Sequence, residues 1–212
     1  MRKIKFANGE FYHIYNRGVD KRQIFCVPED LNRFLESMTA FNSITPVGSL
    51  HSYSFQDYQL SGRTAKLVNI VCYCLNPNHY HIVLEQLTDG GVSEFIKRLA
   101  GGYTFHFNTK YKRSGVLFQG KFKASHIDSN EYLLHVSSYV NLNNRVHRLS
   151  GRTAKSSWEE YMGTAKSLIC KKDIILSQFK TKKEYKDFAE SSLVDILERK
   201  QQSRDISDLL LE

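Results

Sequence analysis

Two histidines flank a tyrosine in the stretch "CLNPNHYHIVLEQ", residues 74–86. The run around them is apolar and typical of a buried strand, in which side chains alternate between the two faces of a sheet. His79 and His81 therefore share one face and lie about 7 Å apart along the strand, close enough to bind one ion. Imidazole suits borderline divalent cations. A pair of hydrogen-bonded histidines with a purely structural role accounts for the pattern equally well.

A second pair of polar residues lies in the stretch "YVNLN" of a late predicted helix. Tyr139 and Asn143 are four residues apart, so they share one helix face. Asn143 offers an amide oxygen to a cation. The phenol of Tyr139, with an ordinary pKa of about 10, attacks only a group that a cation has polarised. A packing role for Tyr139 stays open, and Tyr132 on the same side competes for the chemical role.

Positive charge is concentrated in residues 95–127, which contain seven Lys and Arg residues and no Asp or Glu. Aromatic side chains are interleaved with them, namely Tyr103, Phe105, Phe107, Tyr111, Phe118 and Phe122. Such a segment can follow a phosphate backbone and stack unpaired bases, although we expect most of its phenylalanines to lie in the core. With a net charge of +8, the chain favours a polyanionic partner.

The elements that must position these residues follow the order β-α-β-β-α-β, with a further helix after them. We predict strands at 10–18, 66–77, 79–86 and 115–127, and helices at 28–42, 91–113 and 129–148. The order is that of the ferredoxin-like split βαβ fold. The fold class is therefore α+β, with an antiparallel sheet, helices on one face and a C-terminal helical tail.

Two of the predicted helices carry more detailed expectations. In the last one, Ser129 is the N-cap, and Leu133, Val136 and Val140 form the stripe that faces the core. The pair Gly101-Gly102 marks a weak point in the 91–113 helix.

The composition indicates a soluble globular protein, with 41% hydrophobic and 25% charged residues. It contains no apolar run of about 18 residues that could cross a membrane, and its N-terminus lacks the apolar segment of a secretory signal. We therefore expect a cytoplasmic protein. The four cysteines form no CxxC pair, so we interpret Cys72 and Cys74 as buried thiols, with a structural zinc site as the minority alternative.

The heptapeptide "LSGRTAK" occurs twice, at 60–66 and 149–155. Because both copies fall between predicted elements, we interpret them as a short DNA repeat that was inserted twice in frame. A turn sequence used twice is the alternative. We divide the chain into a catalytic domain, residues 1–165, and the helical tail, residues 166–212.

Several motifs, in this order and spacing, resemble the single-tyrosine HUH transposases, and most closely the REP-associated tyrosine transposases. They are "YNRGVDKRQIF", "CYCLNPNHYHIVLE", "SGVLFQGKFKASHI", "EYLLHVSSYVNLNNR" and "SSWEEYMG". The resemblance covers roughly residues 8–165. It differs from the family pattern at Asn144, where proline is common, and in the second heptapeptide.

The resemblance implies a role for each matched residue. His79 and His81 match the pair that binds a divalent cation, Mg²⁺ or Mn²⁺, and Asn143 matches the polar residue that completes the metal site. Tyr139 matches the nucleophile, which cleaves single-stranded or hairpin DNA through a 5′-phosphotyrosine intermediate. We expect phosphate contacts from five basic residues, Arg17, Arg113, Lys121, Lys123 and Arg145. The active protein is a monomer or a homodimer.

Three other functions stay open at this stage. The first is a related protein that binds hairpin or single-stranded DNA without cleaving it. The second is an RNA-binding ferredoxin-like domain, which presents aromatic side chains on its open sheet face, whereas this chain places histidines there. The third is a structural zinc protein that uses the cysteines.

Overall fold

The computed structural model describes residues 4–45, 65–147, 152–165 and 169–209. Both copies of the heptapeptide lie partly outside these residues, and the structure therefore leaves their interpretation a prediction. No helix among the described residues has both the length and the apolar character that a bilayer crossing requires.

The described strands form one antiparallel sheet. They are β1 (Phe11–Arg17), β2 (Val68–Asn76), β3 (His79–Gln86), β4 (Lys123–Ile127) and β5 (Lys155–Ser156). Their order across the sheet is β4-β1-β3-β2-β5, and every neighbouring pair is antiparallel. The first four strands have the order of the ferredoxin-like fold, which confirms the predicted α+β class. The short strand β5 was not predicted.

Helices occupy the connections and the C-terminal part of the chain. They are α1 (Pro28–Ala40), α2 (Gly91–Lys110), α3 (Asn130–Asn141), α4 (Asn143–Val146), α5 (Trp158–Met162), α6 (Asp173–Leu176) and α7 (Lys182–Leu209). A single 3₁₀ turn, Val19–Lys21, follows β1.

The first face of the sheet packs against α1 and α2. Its side chains come from alternate strand positions, so Tyr80, Ile82 and Leu84 of β3 are fully buried in this core. Helix α2 runs unbroken through Gly101-Gly102, which corrects the expected weak point. Gly102 faces Phe41, and a Cβ atom there would come within 2.6 Å of the Phe41 ring. The close approach of the ring to the helix explains the glycine.

The second face of the sheet is covered by α3 and α7. The expectation of helices on one face holds for α1 and α2, the two helices of the ferredoxin-like unit. The opposite face presents the apolar residues Val71, Cys72 and Val83, which pack with Val136 and Val140 of α3. Such a surface is stable only when it is removed from water.

Helix α7 completes this second core. Tyr185 and Ala189 are fully buried there, although the mixed charge of the helix gave no sign of a docked face. The division into a catalytic domain and a tail at residue 165 stays a prediction. The packing of α7 on α3 is compatible with one domain and with two.

Two elements are shorter than predicted. The segment 115–127 forms a strand only from Lys123, because Gly115 and Gly120 adopt positive φ angles of 83° and 64°, which belong to turns and not to strands. The predicted helix 129–148 is capped by Ser129 as expected. It is interrupted at Leu142, which has φ −108° and ψ 9°.

Candidate active site

The pairing of β1 with β3 and β2 places the polar side chains of the second face in cross-strand rows. Arg17 lies directly opposite His79, which in turn lies opposite Asn76. Tyr15 lies opposite His81. Directly opposed residues share one face of a sheet, so these side chains gather at one end of the second face.

The two histidines of β3 lean toward each other. Their ring centroids are 5.2 Å apart, less than the separation of about 7 Å along a strand. Both rings are half-buried. The side of the sheet that carries them is therefore not sealed from solvent, and their convergence fits the expected role for this pair.

Hydrogen bonds fix the tautomer of His79. Its Nδ1 lies 2.7 Å from the amide oxygen of Asn78, and because an amide oxygen only accepts, Nδ1 carries the proton. Its Nε2 accepts from Asn76 Nδ2 at 2.9 Å. The Nε2 lone pair is thus directed at the polar cluster, where Asn76 occupies it.

His81 contacts a histidine that the sequence did not single out. His81 Nδ1 lies 2.8 Å from His13 Nε2, and His13 is only 9% exposed. Burial lowers the pKa of His13 to about 4. Burial also lowers the pKa of His81, and the neighbouring His13, His79 and His147 add to this shift. Both rings are neutral at pH 7, as metal ligation requires.

Helix α3 places Tyr139 over the histidines. Its ring centroid lies 5.7 Å from that of His81 and 6.2 Å from that of His13, edge to face in both cases. Burial raises the pKa of Tyr139, an effect that the polar side chain of Asn143 opposes. The phenol is therefore protonated at neutral pH, and it becomes a nucleophile only when a neighbouring group takes up or stabilises its charge.

Asn143 begins the short helix α4, immediately after the interruption at Leu142. Its Oδ1 accepts from Asn76 Nδ2 at 2.7 Å and lies 3.4 Å from His79 Nε2. Its Nδ2 is buried without a hydrogen-bond partner of regular geometry. A buried donor next to a phenol favours the ionised form of that phenol, so Asn143 contacts both parts of the site.

Buried hydrogen bonds hold α3 in this position. Asn141, which is fully buried, donates from Nδ2 to the Tyr185 hydroxyl of α7 at 2.8 Å. Its Oδ1 accepts from the Ser157 hydroxyl at 2.5 Å, and the Ser157 backbone N–H donates to the Tyr73 carbonyl of β2 at 2.9 Å. The segment that carries Tyr139 is thereby tied to both the sheet and the C-terminal helix.

The residues present fit a divalent cation. Two ligand atoms that are bound at about 2.1 Å and at right angles lie about 3 Å apart. His79 Nε2 and Asn143 Oδ1 are 3.4 Å apart, and the positively polarised amide group of Asn76 lies between them. Within the described ranges, no group of three or more His, Cys, Asp or Glu side chains is arranged to hold a metal. The candidate donors are the two imidazoles of β3 and the amide oxygen of Asn143.

Two of the cysteines lie in β2, where Cys74 is paired with His81 and has its Sγ 3.7 Å from Asn76 Oδ1. Cys72 and Cys74 are fully buried among apolar residues of the second core, and burial raises the pKa of Cys74 to about 12. Both are therefore protonated thiols at neutral pH, as interpreted from the sequence.

Three of the five basic residues that we expected to bind DNA lie near the histidines. Arg17 is exposed opposite His79, and its guanidinium donates to the Gln119 side chain. Lys123 lies opposite Tyr15 in the neighbouring strand. Lys121 is exposed after the loop that hydrogen-bonds to the end of β1.

The other two arginines make structural contacts. Arg113 donates to the Asn108 side chain and to the carbonyl of Val116, and so holds its own loop. Arg145 lies 3.5 Å from Glu190 of α7 and stacks over Trp158.

The aromatic residues of the basic segment are mostly core, as expected. Tyr103, Phe107 and Phe118 are buried. Phe122 packs partly buried against the same core, and Phe105 is 75% exposed. Few aromatic side chains of this segment are therefore exposed enough to stack with bases.

Four polar residues of the cluster escaped the sequence analysis, namely His13, Tyr15, Asn76 and His147. Tyr15 stacks parallel to His81 with a centroid distance of 5.7 Å, and the exposed His147 lies 5.1 Å from His79, ring to ring. The alternation of "FYHIYNR" was the signal that could have found the first two, because it assigns His13 and Tyr15 to one face.

Comparison with known proteins supports the family resemblance. Residues 59–144 match the sequence model of the family described as "Transposase IS200 like". A search of curated protein sequences finds no match. Among solved structures, the chain is similar to the REP-associated tyrosine transposase bound to a REP hairpin. That match has 12% identity and a TM-score of 0.49, and it covers 80% of this chain and 88% of the other. The match over residues 59–144 confirms the family resemblance that the sequence motifs indicated.

Proposed function

We propose that this protein is a metal-dependent, single-tyrosine HUH transposase of the REP-associated type. It cleaves single-stranded DNA and rejoins it through a 5′-phosphotyrosine intermediate. The observation that carries the proposal is the convergence of the Tyr139 ring on His81, at 5.7 Å in one chain, with His79 and Asn143 beside them. The family match agrees with it.

Three side chains of this cluster have the atoms to hold a divalent cation, Mg²⁺ or Mn²⁺. They are His79 and His81 through their Nε2 atoms and Asn143 through Oδ1. The cation, when bound, polarises the scissile phosphate and offsets the charge that develops on its oxygens. Asn76 hydrogen-bonds to both His79 and Asn143. Binding of the cation would replace one of these two hydrogen bonds.

Tyr139 supplies the nucleophile. Its oxygen forms a bond to phosphorus, the bond from phosphorus to the 3′ oxygen breaks, and the phenolic proton is lost as the 3′ oxygen becomes a hydroxyl. The phosphotyrosine ester keeps the energy of the broken phosphodiester, so another 3′-hydroxyl can reverse the step and join new ends. No nucleotide is consumed, and the sequence has no GxxxxGK[ST] loop.

The DNA strand approaches along the edge that carries Arg17 and Lys123. Both lie in the cross-strand rows that contain the histidines, so phosphates flanking the scissile bond would meet positive charge there. An unpaired strand suits this site, because its backbone can bend toward half-buried side chains. On the sequence resemblance alone, we extend the proposal to hairpin-forming repeats and to action in the cytoplasm.

One protomer is sufficient for the reaction in this proposal. Tyr139 contacts the histidines of its own chain, and Asn141 anchors its helix to Tyr185 of the same chain. We therefore expect cleavage by a monomer, with a rate per protomer that does not depend on protein concentration.

The test is incubation with single-stranded DNA from beside the protein's own gene, labelled at either end, with and without Mn²⁺. We expect a covalent protein–DNA band on a denaturing gel, only with Mn²⁺, and only with the 3′ label. The 5′ label should appear in a shorter free oligonucleotide. A protein that merely binds DNA gives a shifted band on a native gel and none after denaturation, and that result would overturn the proposal.

A further inference from the structure

We infer that His13 is a positioning residue for the metal site, which fixes the tautomer and the ring orientation of His81. The inference rests on the proposed function and extends it to a residue of another strand that has no match among the quoted family motifs. His13 Nε2 and His81 Nδ1 are 2.8 Å apart, the distance of a hydrogen bond.

The geometry distinguishes this hydrogen bond from a shared metal ion. The ring centroids of His13 and His81 are 5.0 Å apart, and the planes differ by 22°. The centroid distance of 5.0 Å equals the 2.8 Å between the nitrogens plus about 1.1 Å from each nitrogen to its ring centre, as in a straight hydrogen bond. Two imidazoles that bound one cation at about 2.1 Å each, with the same two nitrogens still 2.8 Å apart, would have their centroids about 4.3 Å apart. The two nitrogens therefore point at each other and share one proton.

The requirements of metal ligation determine whether His13 Nε2 or His81 Nδ1 carries the shared proton. A ligating nitrogen must present a lone pair, and a histidine that binds metal usually donates its other N–H to an acceptor. With His81 Nδ1–H donating to His13 Nε2, the remaining nitrogen of His81 is free for a cation. Within the described residues, Nδ1 makes the hydrogen bond of His81, which leaves Nε2 on the side of the cluster.

The same arrangement occurs at the other histidine. His79 Nδ1 donates to Asn78 Oδ1 at 2.7 Å, so a neighbour engages Nδ1 in each histidine of β3, and His79 Nε2 faces Asn76 and Asn143. His13 therefore does for His81 what Asn78 does for His79. The pair of acceptors gives both rings the same tautomer, although one acceptor lies on β1 and the other in the turn between β2 and β3.

His13 is itself held in place by its surroundings. On β1 it lies opposite Val83, two residue pairs from Tyr15–His81 and on the same face of the sheet, which allows the diagonal contact with His81. The rings of Tyr15 and Tyr139 pack against it at 5.1 and 6.2 Å. With 9% of its surface exposed, His13 has little freedom to turn away, as a positioning residue requires.

The test measures Mn²⁺ affinity directly, from the electron paramagnetic resonance signal of free Mn²⁺ in a titration of the full chain. We expect His13→Ala to weaken Mn²⁺ binding by about tenfold to a hundredfold, the range for lost outer-shell partners. His13→Gln, whose amide oxygen can accept from His81, should recover part of the loss. His126→Gln is the matched control, because His126 lies on the neighbouring strand, half-exposed and paired with Glu10.

A second measurement on the unmodified chain does not depend on the folding of any variant. Long-range ¹H–¹⁵N correlation spectra report the tautomer of each histidine, and we predict that His81 is protonated on Nδ1 without metal. A His81 protonated on Nε2, or a folded His13→Ala variant that binds Mn²⁺ as tightly as the unmodified chain, would overturn the inference. If the unmodified chain binds no Mn²⁺ at all, the proposed function fails instead.

Discussion

The two faces of the central sheet are made by the same strands, yet they have different roles. On the first face, Ile14 and Ile82 are fully buried beneath α1 and α2. On the second face, His13 and His81 occupy the adjacent positions of the same two strands, under α3 and α7. One residue along a strand separates apolar packing from the polar cluster.

Apolar packing and the polar cluster are therefore separated at the level of alternate residues. The first face contributes through burial of apolar surface. The polar end of the second face holds its side chains in mutual hydrogen bonds and carries the imidazoles that we propose as cation ligands. Substitutions on the first face should therefore change the free energy of unfolding, and those at the polar end of the second face should change the reaction.

The largest effect is expected at Tyr139. Tyr139→Phe removes the attacking oxygen and should abolish cleavage and the covalent adduct, while single-stranded DNA still binds. Tyr132→Phe is the matched control, since Tyr132 is 42% exposed on the same helix and should cleave normally. Denaturing gels score the adduct. An adduct that persists in Tyr139→Phe contradicts the assignment.

The next largest effect concerns the histidines. His79→Ala removes a cation ligand and should reduce Mn²⁺-dependent cleavage by at least about a hundredfold, within the range of a lost group that stabilises charge in the transition state. Removal of metal with EDTA should do the same to the unmodified chain. Activity that is unchanged in EDTA would exclude the metal from the mechanism.

On the first face, the expected effect is on stability alone. Leu84→Ala removes a fully buried side chain and should lower the free energy of unfolding by about 2 to 5 kcal/mol. Urea denaturation measures this loss. Below the unfolding transition, cleavage per folded molecule should stay within a few-fold of normal. A selective loss of cleavage would break the separation of the two faces.

The smallest effect is expected for a single phosphate contact. Arg17→Ala should weaken binding of single-stranded DNA several-fold and reduce the slope of log affinity against log salt by about 0.7. Arg145→Ala is the control, because Arg145 pairs with Glu190 and Trp158 and should leave that slope unchanged. Fluorescence anisotropy over a salt series distinguishes the two variants.

Much of the fold was predictable from local patterns. The alternation in β3 assigned His79, His81 and Val83 to one face and Tyr80, Ile82 and Leu84 to the other, and the structure agrees. The stripe of Leu133, Val136 and Val140 is buried as expected. Such patterns are predictable because they follow from the period of a single element.

What was missed depends on contacts between distant segments. The contact of His13 with His81 joins positions 68 residues apart, and the bond of Asn141 to Tyr185 spans 44 residues. The interruption at Leu142 was also missed. It places Asn143 at the start of a new helix, where its side chain accepts a hydrogen bond from Asn76 of β2. The periodicity of a single helix gives no information about such a contact.

The most direct test of the account is to map the covalent adduct. The unmodified protein is incubated with its single-stranded DNA and Mn²⁺ and then digested with trypsin, and the peptide that carries the oligonucleotide is identified by mass spectrometry. We expect a nucleotide joined through its 5′-phosphate to Tyr139. A nucleotide on Tyr15 or Tyr132, or a linkage through a 3′-phosphate, would contradict the proposed mechanism.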